Sequence, residues 1–248
     1  MNRFSMMSSL AILAASLTTV ASASAHEITL TSVIRDFHVY HPDFQGPIAN
    51  DTNYVSDTLG ADGKPVYIGG AGTATTTGAA NYNQWYNDTA GVNKSIPFDL
   101  LLSNGLPNPG GIYTFEDTTF FPIDGQLFGN ETYLHNYHFT LELHTEFVYQ
   151  PGLSFNVLAD DDLIIFIDGR KVLDLGGIHA PQNGSFNADS LGLTAGQSYD
   201  FDLFFAERHS ILSTLKFSTN IQFVPEPATI VLAAIGALAA FQHRRKAL

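Results

Sequence analysis

Apolar and polar residues alternate with period two in two stretches near the end of this chain. In one, Tyr199, Phe201, Leu203 and Phe205 alternate with Asp200 and Asp202. In the other, Leu215, Phe217, Thr219, Ile221 and Phe223 alternate with Lys216, Ser218, Asn220 and Gln222. Successive strand side chains point to opposite faces, so each stretch predicts a strand with one face on a core and one in water. A third stretch, Leu163 to Ile167 (LIIFI), does not alternate at all. It predicts a strand buried on both faces, in the middle of a sandwich. Asp168-Gly169 and a second β-prone segment, Arg170 to Leu175, follow it. Asp-Gly between two such segments predicts a hairpin with a two-residue turn, because Gly readily takes φ > 0.

Earlier in the chain, Ile28 to Phe44 reads as a strand (ITLTSVIRDF) running into a loop that bears His and Asp, while Asn136 to Val148 and Leu153 to Leu158 read as further strands. Gly60 to Gly70 is rich in turn residues, and Leu100 to Gly111 is a loop punctuated by Pro107 and Pro109. Gly69 to Ala80 is a Gly/Thr/Ala loop of low complexity, expected to pack loosely. Helical periodicity is missing before residue 224. Short strands between Gly, Pro, Asn and Asp turns predict an all-β, antiparallel β-sandwich, with a jelly roll as the alternative arrangement of the same strands.

Both ends carry signals. Arg3, the apolar run Leu10 to Val20 and Ala23-Ser24-Ala25 form an export signal peptide over residues 1–25, so the mature chain is expected to begin at His26. At the other end Val224-Pro225-Glu226-Pro227 precedes an apolar run, Ala228 to Phe241, and a basic cluster of Arg244, Arg245 and Lys246. That run is short against the roughly 20 residues of a comfortable transmembrane helix. The three-part arrangement over residues 224–248 resembles the PEP-CTERM sorting signal of Gram-negative bacteria. The resemblance implies a short C-terminal transmembrane helix in the inner membrane, processing by an exosortase near Pro-Glu-Pro, and release to the cell surface or an extracellular exopolysaccharide matrix. An ordinary C-terminal anchor accounts for the helix and basic tail but not for Pro-Glu-Pro.

The body between the signals, residues 26–223, is long enough for one substantial core. Without Arg3, the basic tail and Glu226 it holds 7 basic against 23 acidic residues. So acidic a surface excludes nucleic acid and anionic lipid as partners. The chain has no cysteine, so packing, or packing and metal, must hold an exported fold without disulfides.

Candidate chemistry centres on Asp160, Asp161 and Asp162, which run directly into the apolar strand. Three neighbouring carboxylates repel one another unless a positive charge compensates them, and a hard, oxygen-seeking cation such as Ca²⁺ suits them. The alternative is a solvated acidic cap on the strand. Strand alternation prevents three regular neighbours from converging on one ion, and Asp162 is the member expected to point the other way.

The motifs around this cluster resemble the fibro-slime domain. The likeness runs from Ile34-Arg35-Asp36-Phe37 through Trp85-Tyr86, Phe120-Phe121-Pro122-Ile123-Asp124-Gly125 and Asn136-Tyr137-His138-Phe139-Thr140 to the aspartates. It continues through Asp174-Leu175-Gly176-Gly177-Ile178-His179 and closes on Phe201 to His209. The second half is also similar to the β-sandwich of anthrax protective antigen, which yeast flocculin-type adhesins share. That resemblance implies a Ca²⁺-dependent carbohydrate-binding site, in which two adjacent aspartates joined by a cis peptide hold the ion against sugar hydroxyls. Asp160 and Asp161 are the matching pair. The implied protein is a non-catalytic, adhesin-like module associated with exopolysaccharide or biofilm, with a polysaccharide or other glycan as partner.

Other residues divide between function and structure. His179 is expected near the aspartates because the hairpin returns it to their end, and Asn183, in the Gln182-Asn183-Gly184 loop, is a possible further oxygen donor. Trp85 is either a sugar-stacking platform or core. Arg208 is expected to pair with a carboxylate in a polar network at a strand end. His38-x-x-His41 and His135-x-x-His138 lack the Glu and the helix of a zinc-peptidase motif. Gly-x-Ser-x-Gly is absent, and so many acids make any proposed glycosidase pair uninformative. A polysaccharide hydrolase and a purely structural matrix protein are the rival classes.

Overall fold

The computed structural model describes residues 27–104 and 111–224. The signal peptide and the C-terminal helix with its basic tail lie outside the described residues. Among those described, no helix is long and apolar enough to cross a membrane. The early strands are β1 (Glu27–Phe37), β2 (Ala49–Asn50), β3 (Val55–Leu59), β4 (Pro65–Tyr67), β5 (Asn93–Ser103) and β6 (Tyr113–Asp117), with a one-turn helix α1 (Ala79–Tyr82) before β5. The later ones are β7 (Phe139–Val148), β8 (Ser154–Asp160), β9 (Asp162–Ile167), β10 (Arg170–Leu175), β11 (Gly177–Ile178), β12 (Gln182–Asn187), β13 (Ser198–Glu207), β14 (Thr214–Thr219) and β15 (Phe223–Val224).

Thirteen strands form one antiparallel sheet in the order β12-β8-β14-β6-β5-β1-β7-β13-β9-β10-β3-β4, with β15 on β7, and β2 and β11 pair separately. The sheet curls on itself. Phe155 on β8 lies 5.5 Å from Phe201 on β13, although these strands are six places apart in the sheet. The two halves thereby enclose a core that includes Ile34, Leu141, Phe155, Leu163, Ile165, Phe201 and Phe217. This is the expected two-layer all-β architecture, reached by one continuous sheet.

The hairpin β9–β10 forms as its sequence predicts. Asp168 (φ 50°) and Gly169 (φ 68°) both take positive φ, as a primed turn requires, and Arg170 pairs with Ile167. Every residue of β9 is buried, with Leu163, Ile165 and Ile167 in the main core. Ile164 and Phe166 point the other way into a second cluster with Tyr54, Tyr82, Trp85, Tyr86 and Phe204. An aromatic layer from residues 54–86 thus covers the outer face of β9 and β13. That layer revises three expectations. Trp85 is fully buried, so it is core rather than a sugar platform. From Phe201 to Glu207 β13 is buried on both faces, whereas Ser198 and Asp200 keep the predicted polar side near its start. The loop Gly69–Ala80 is tied down by hydrogen bonds, although most of its residues are exposed. Asp51 accepts hydrogen bonds from Thr73 and Thr75 hydroxyls and the Thr75 amide, Asp43 accepts from the Thr77 amide and hydroxyl, and Thr75 and Thr76 are buried. Two carboxylates order a segment whose composition carries no packing signal.

The last predicted strand is also divided. Residues 214–219 pair with β6 and β8, then the chain crosses to the other half of the sheet, where Phe223 pairs with Phe147 of β7. Period two persists through the crossing because Ile221 and Phe223 still enter the core. The long connection between β6 and β7 is tied down by aspartates. Asp36 accepts from the Phe128 amide and Asn136, and Asp124 from the Asn136 amide while it pairs with His135.

Two charged clusters fasten the aromatic layer to the sheet. In the first, Glu142 meets Arg35 (2.6 Å), Lys64 and His144, and His144 also meets Asp202 across the β7–β13 pairing (2.6 Å). Burial disfavours the His144 cation, but its hydrogen bonds to Asp202 and Glu142, and their charges, raise its pKa to about 9. In the second, Arg208 is fully buried and pairs with Asp162 through Nε (2.6 Å) and Nη2 (3.0 Å). Its Nη1 donates to the carbonyls of Asp43 and Thr75, and its guanidinium lies 4.6 Å from the Trp85 ring.

These clusters generate two expectations. A histidine pKa raised above its ordinary 6.5 adds stability that is present in full below pH 6.5 and is lost as pH rises through about 9. The Tm of the protein should therefore fall over that window, and in His144→Gln the fall should be smaller; identical profiles would uncouple His144 from stability. The effect is modest, because the His144 side chain is 45% exposed. Arg208→Met leaves Asp162 buried without its cation and should cost about 3–5 kcal/mol in urea denaturation. Adding Asp162→Leu should recover part of that loss, and a single-variant loss below about 1 kcal/mol would refute the anchoring role.

Candidate functional site

The junction between β8 and β9 holds all three aspartates. The peptide bond between Asp160 and Asp161 is cis, as the adhesin resemblance implies. Asp162 points outward to Arg208 and also accepts from the Tyr54 hydroxyl (2.6 Å) and the Gly177 amide (2.6 Å). It is thus withdrawn from ligand binding, as strand alternation predicts. Asp160 and Asp161 turn to the other side and come together with His179, one ligand atom from each lying within 4.8 Å of the others. Among the described residues this is the one group of three or more His, Asp or Glu that converges in this way.

Backbone hydrogen bonds set the position of Asp161. Its Oδ1 accepts from the His179 amide (2.8 Å) and its Oδ2 from the Arg208 amide (3.1 Å). The first is possible because the Gly176–His179 segment passes close to β2. Gly177 sits at φ 115°, and a Cβ there would lie 2.2 Å from the Ala49 carbonyl oxygen. Only glycine fits such an approach. The His179 ring faces the backbone oxygens of Ala180 (2.9 Å) and Leu175 (3.2 Å). Carbonyls only accept and a neutral imidazole carries one N–H, so one of these two contacts is a hydrogen bond from the ring, and the carboxylate oxygens are the ligand atoms that suit a hard cation.

The charge balance here is unusual. Asp160 and Asp161 are 4% and 2% exposed, and neither forms an ion pair with a side-chain cation among the described residues. Burial raises the Asp160 pKa to about 6, with Asp161 and His179 opposing. Burial also pushes Asp161 well up, aided by the Asp162 charge and opposed by Arg208. Fully buried Glu207 is pushed up by burial and then by Asp161 and Asp160, and its Oε2 has no partner among the described residues. A carboxylate pair without an ion-pair partner among the described residues suits an added hard cation.

The pair opens into a pocket of about 160 Å³, whose walls include Ile178, His179, Ala180 and His209. Asn183 is not part of it. On β12 it pairs in register with Leu158, is exposed, and lines a separate groove with Asn156, Lys216 and Ser218. The histidine pairs disperse as well, His38 to Glu131, His41 to Gln84, His135 to Asp124 and His138 to Gln45. Sequence reasoning missed the Arg208 amide and three apolar residues at the pocket mouth, Ile48, Ile211 and Leu212. The adjacent apolar residues Ile211 and Leu212, inside an otherwise polar loop, were the available signal.

Comparison with known proteins adds the following. Residues 223–246 match the PEP-CTERM protein-sorting motif, so this is an exported chain that carries a sorting signal. Curated relatives come from Dictyostelium discoideum. Protein psiR is 38% identical over 219 residues, covering 82% of this chain and 22% of its own length. Protein psiB is 33% identical over 237 residues, covering 84% of this chain and 42% of its own. The chain therefore spans between about a fifth and two-fifths of these relatives. Among solved structures, it is similar to a PA14 sugar-binding domain from an RTX adhesin, with 12% identity, 79% of this chain and 91% of that chain covered, and a TM-score of 0.39. It is also similar to an epithelial adhesin A domain from Candida glabrata in complex with beta-lactose, with 12% identity, coverage of 81% and 82%, and a TM-score of 0.32.

Proposed function

We propose that this exported chain is a non-catalytic, calcium-dependent carbohydrate-binding module of the cell surface or extracellular matrix, associated with exopolysaccharide or biofilm. The observation that carries the reading is the convergence of two buried carboxylates, Asp160 and Asp161, without a side-chain cation at the floor of an open pocket. Asp160 and Asp161 would hold the ion through oxygen, and the bound cation would supply a positive centre for the oxygens of neighbouring sugar hydroxyls. The chain's own part is positional. The amides of His179 and Arg208 each occupy one Asp161 oxygen from behind, which orients that carboxylate toward the pocket.

Placement also supports binding over hydrolysis. Glycosidase carboxylates flank a scissile bond from opposite sides, one as acid and one as base or nucleophile. Here the two come from adjacent residues and converge on one point. The fibro-slime resemblance and the sorting signal support the same reading, and the exosortase expected to process the tail, after transient retention in the inner membrane, is the partner they add.

Calcium at one hundred times its Kd should stabilise the protein by about 2.7 kcal/mol. For a body of this size that is about 5–10 °C in Tm. Asp160→Asn with Asp161→Asn should abolish the calcium shift and calcium-dependent signals on a glycan array. Without calcium, Asp160→Asn alone should be as stable as the parent or more so, because a buried repulsion is removed while Asp161 keeps both of its amide donors. Calorimetry showing no calcium uptake at millimolar concentration would reduce the pair to a strand cap. Polysaccharide turnover lost with one carboxylate would make the protein a hydrolase.

A further inference from the structure

The mouth of the carboxylate pocket is apolar, and its residues come from separate parts of the chain. Ile48 precedes β2, while Ile211 and Leu212 lie in the loop between β13 and β14. Their exposures are 66%, 69% and 50%, among the largest of any apolar side chains described. Buried Ile178 continues the apolar wall down to the aspartates. Isolated exposed apolar residues need no explanation, but three around one pocket with a charged floor form a continuous surface that a ligand covers.

The exposed large side chains at the mouth, Ile48, Ile211 and Leu212, are all aliphatic, and half-buried His209 lies in the wall beside them. An aromatic platform would stack on the face of a sugar ring, whereas branched aliphatic chains offer no π-face and gain by excluding water from a small apolar group. A hydroxyl set against them would lose its water without finding a hydrogen-bond partner. The rim therefore selects against a hydroxyl and for a methyl at the position it touches. The pocket, about 160 Å³, is of the size of one monosaccharide rather than an extended chain.

We propose that the ligand of this pocket is a methyl-bearing pyranose, with a vicinal hydroxyl pair toward Asp160 and Asp161 and its methyl group against Ile48, Ile211 and Leu212. The inference rests on the carbohydrate-binding reading of the same site and adds the class of sugar. Two sources supply this chemistry, the C6 methyl of a 6-deoxyhexose and the acetyl methyl of an N-acetylhexosamine.

Matched sugars test it by calorimetry on the full chain in millimolar calcium, with a chelator control. L-fucose is compared with L-galactose and L-rhamnose with L-mannose, each pair differing only in CH₃ against CH₂OH, and N-acetylglucosamine is compared with glucose. At least one methyl-bearing member should bind about fourfold or more tightly than its parent, and the pair that shows the gain identifies the source of the methyl. Ile211→Ser with Leu212→Ser should erase that preference, bringing each methyl-bearing sugar and its parent to the same affinity, while leaving the calcium-induced Tm shift unchanged. Both residues are at least half exposed, so the fold tolerates the exchange. Parent sugars that bind as tightly as all their methyl-bearing partners would overturn the inference and leave the carbohydrate reading standing. No calcium-dependent binding of any of the sugars would overturn both.

Discussion

The buried pair of Arg208 and Asp162 is the interaction on which the rest of this structure depends. A guanidinium without water exposure is tolerable only if its charge is met and its donors are used. Asp162 meets the charge, the carbonyls of Asp43 and Thr75 take Nη1, and the Trp85 ring lies against the cation. Each partner belongs to a different part of the chain, so satisfying one side chain pins the aromatic layer and the Gly/Thr loop to the sheet. The backbone of Arg208 then works on the opposite side. Its amide holds Asp161, and its carbonyl accepts from Gln45.

Three consecutive aspartates thus acquire two fates. Asp162 becomes structural because its face of β9 meets the fully buried Arg208, whereas Asp160 and Asp161 emerge where no side-chain cation among the described residues pairs with them. Had the arginine lain on their side, the pair would be neutralised internally. The acidic composition has a consistent sense, because it favours divalent cations over anions generally, and among the described residues Asp160, Asp161 and His179 are the one group of three that converges.

The pocket joins opposite chemistries over a short distance. Its floor is ionic and supported by backbone amides that follow β11 and β13, and its mouth is aliphatic and supported by two loops. The floor is built on strands buried on both faces, which hold it rigidly. The mouth sits on exposed connections, where residues are exchanged with little effect on the fold.

Local pattern alone made much of this legible. LIIFI announced a doubly buried strand, Asp168-Gly169 its turn, alternation the strands from Tyr199 onward, and the adjacent aspartates a carboxylate cluster, because each feature depends on residues next to one another. The misplacements share one cause. Trp85 looks the same in sequence whether an aromatic layer covers it or water does, and Gly69–Ala80 looks loose until Asp43 and Asp51 reach it from residues far away in the chain. Asn183 sits near the aspartates in sequence, but antiparallel pairing with β8 sends it to a different groove. Sequence by itself determined the strands, the hairpin and the acidic pair, since strand period and turn φ are set within a few residues. Tertiary structure alone decided which carboxylate is neutralised, which aromatic is covered and which apolar residues rim the pocket, since burial and charge compensation depend on partners that only the folded sheet brings within reach.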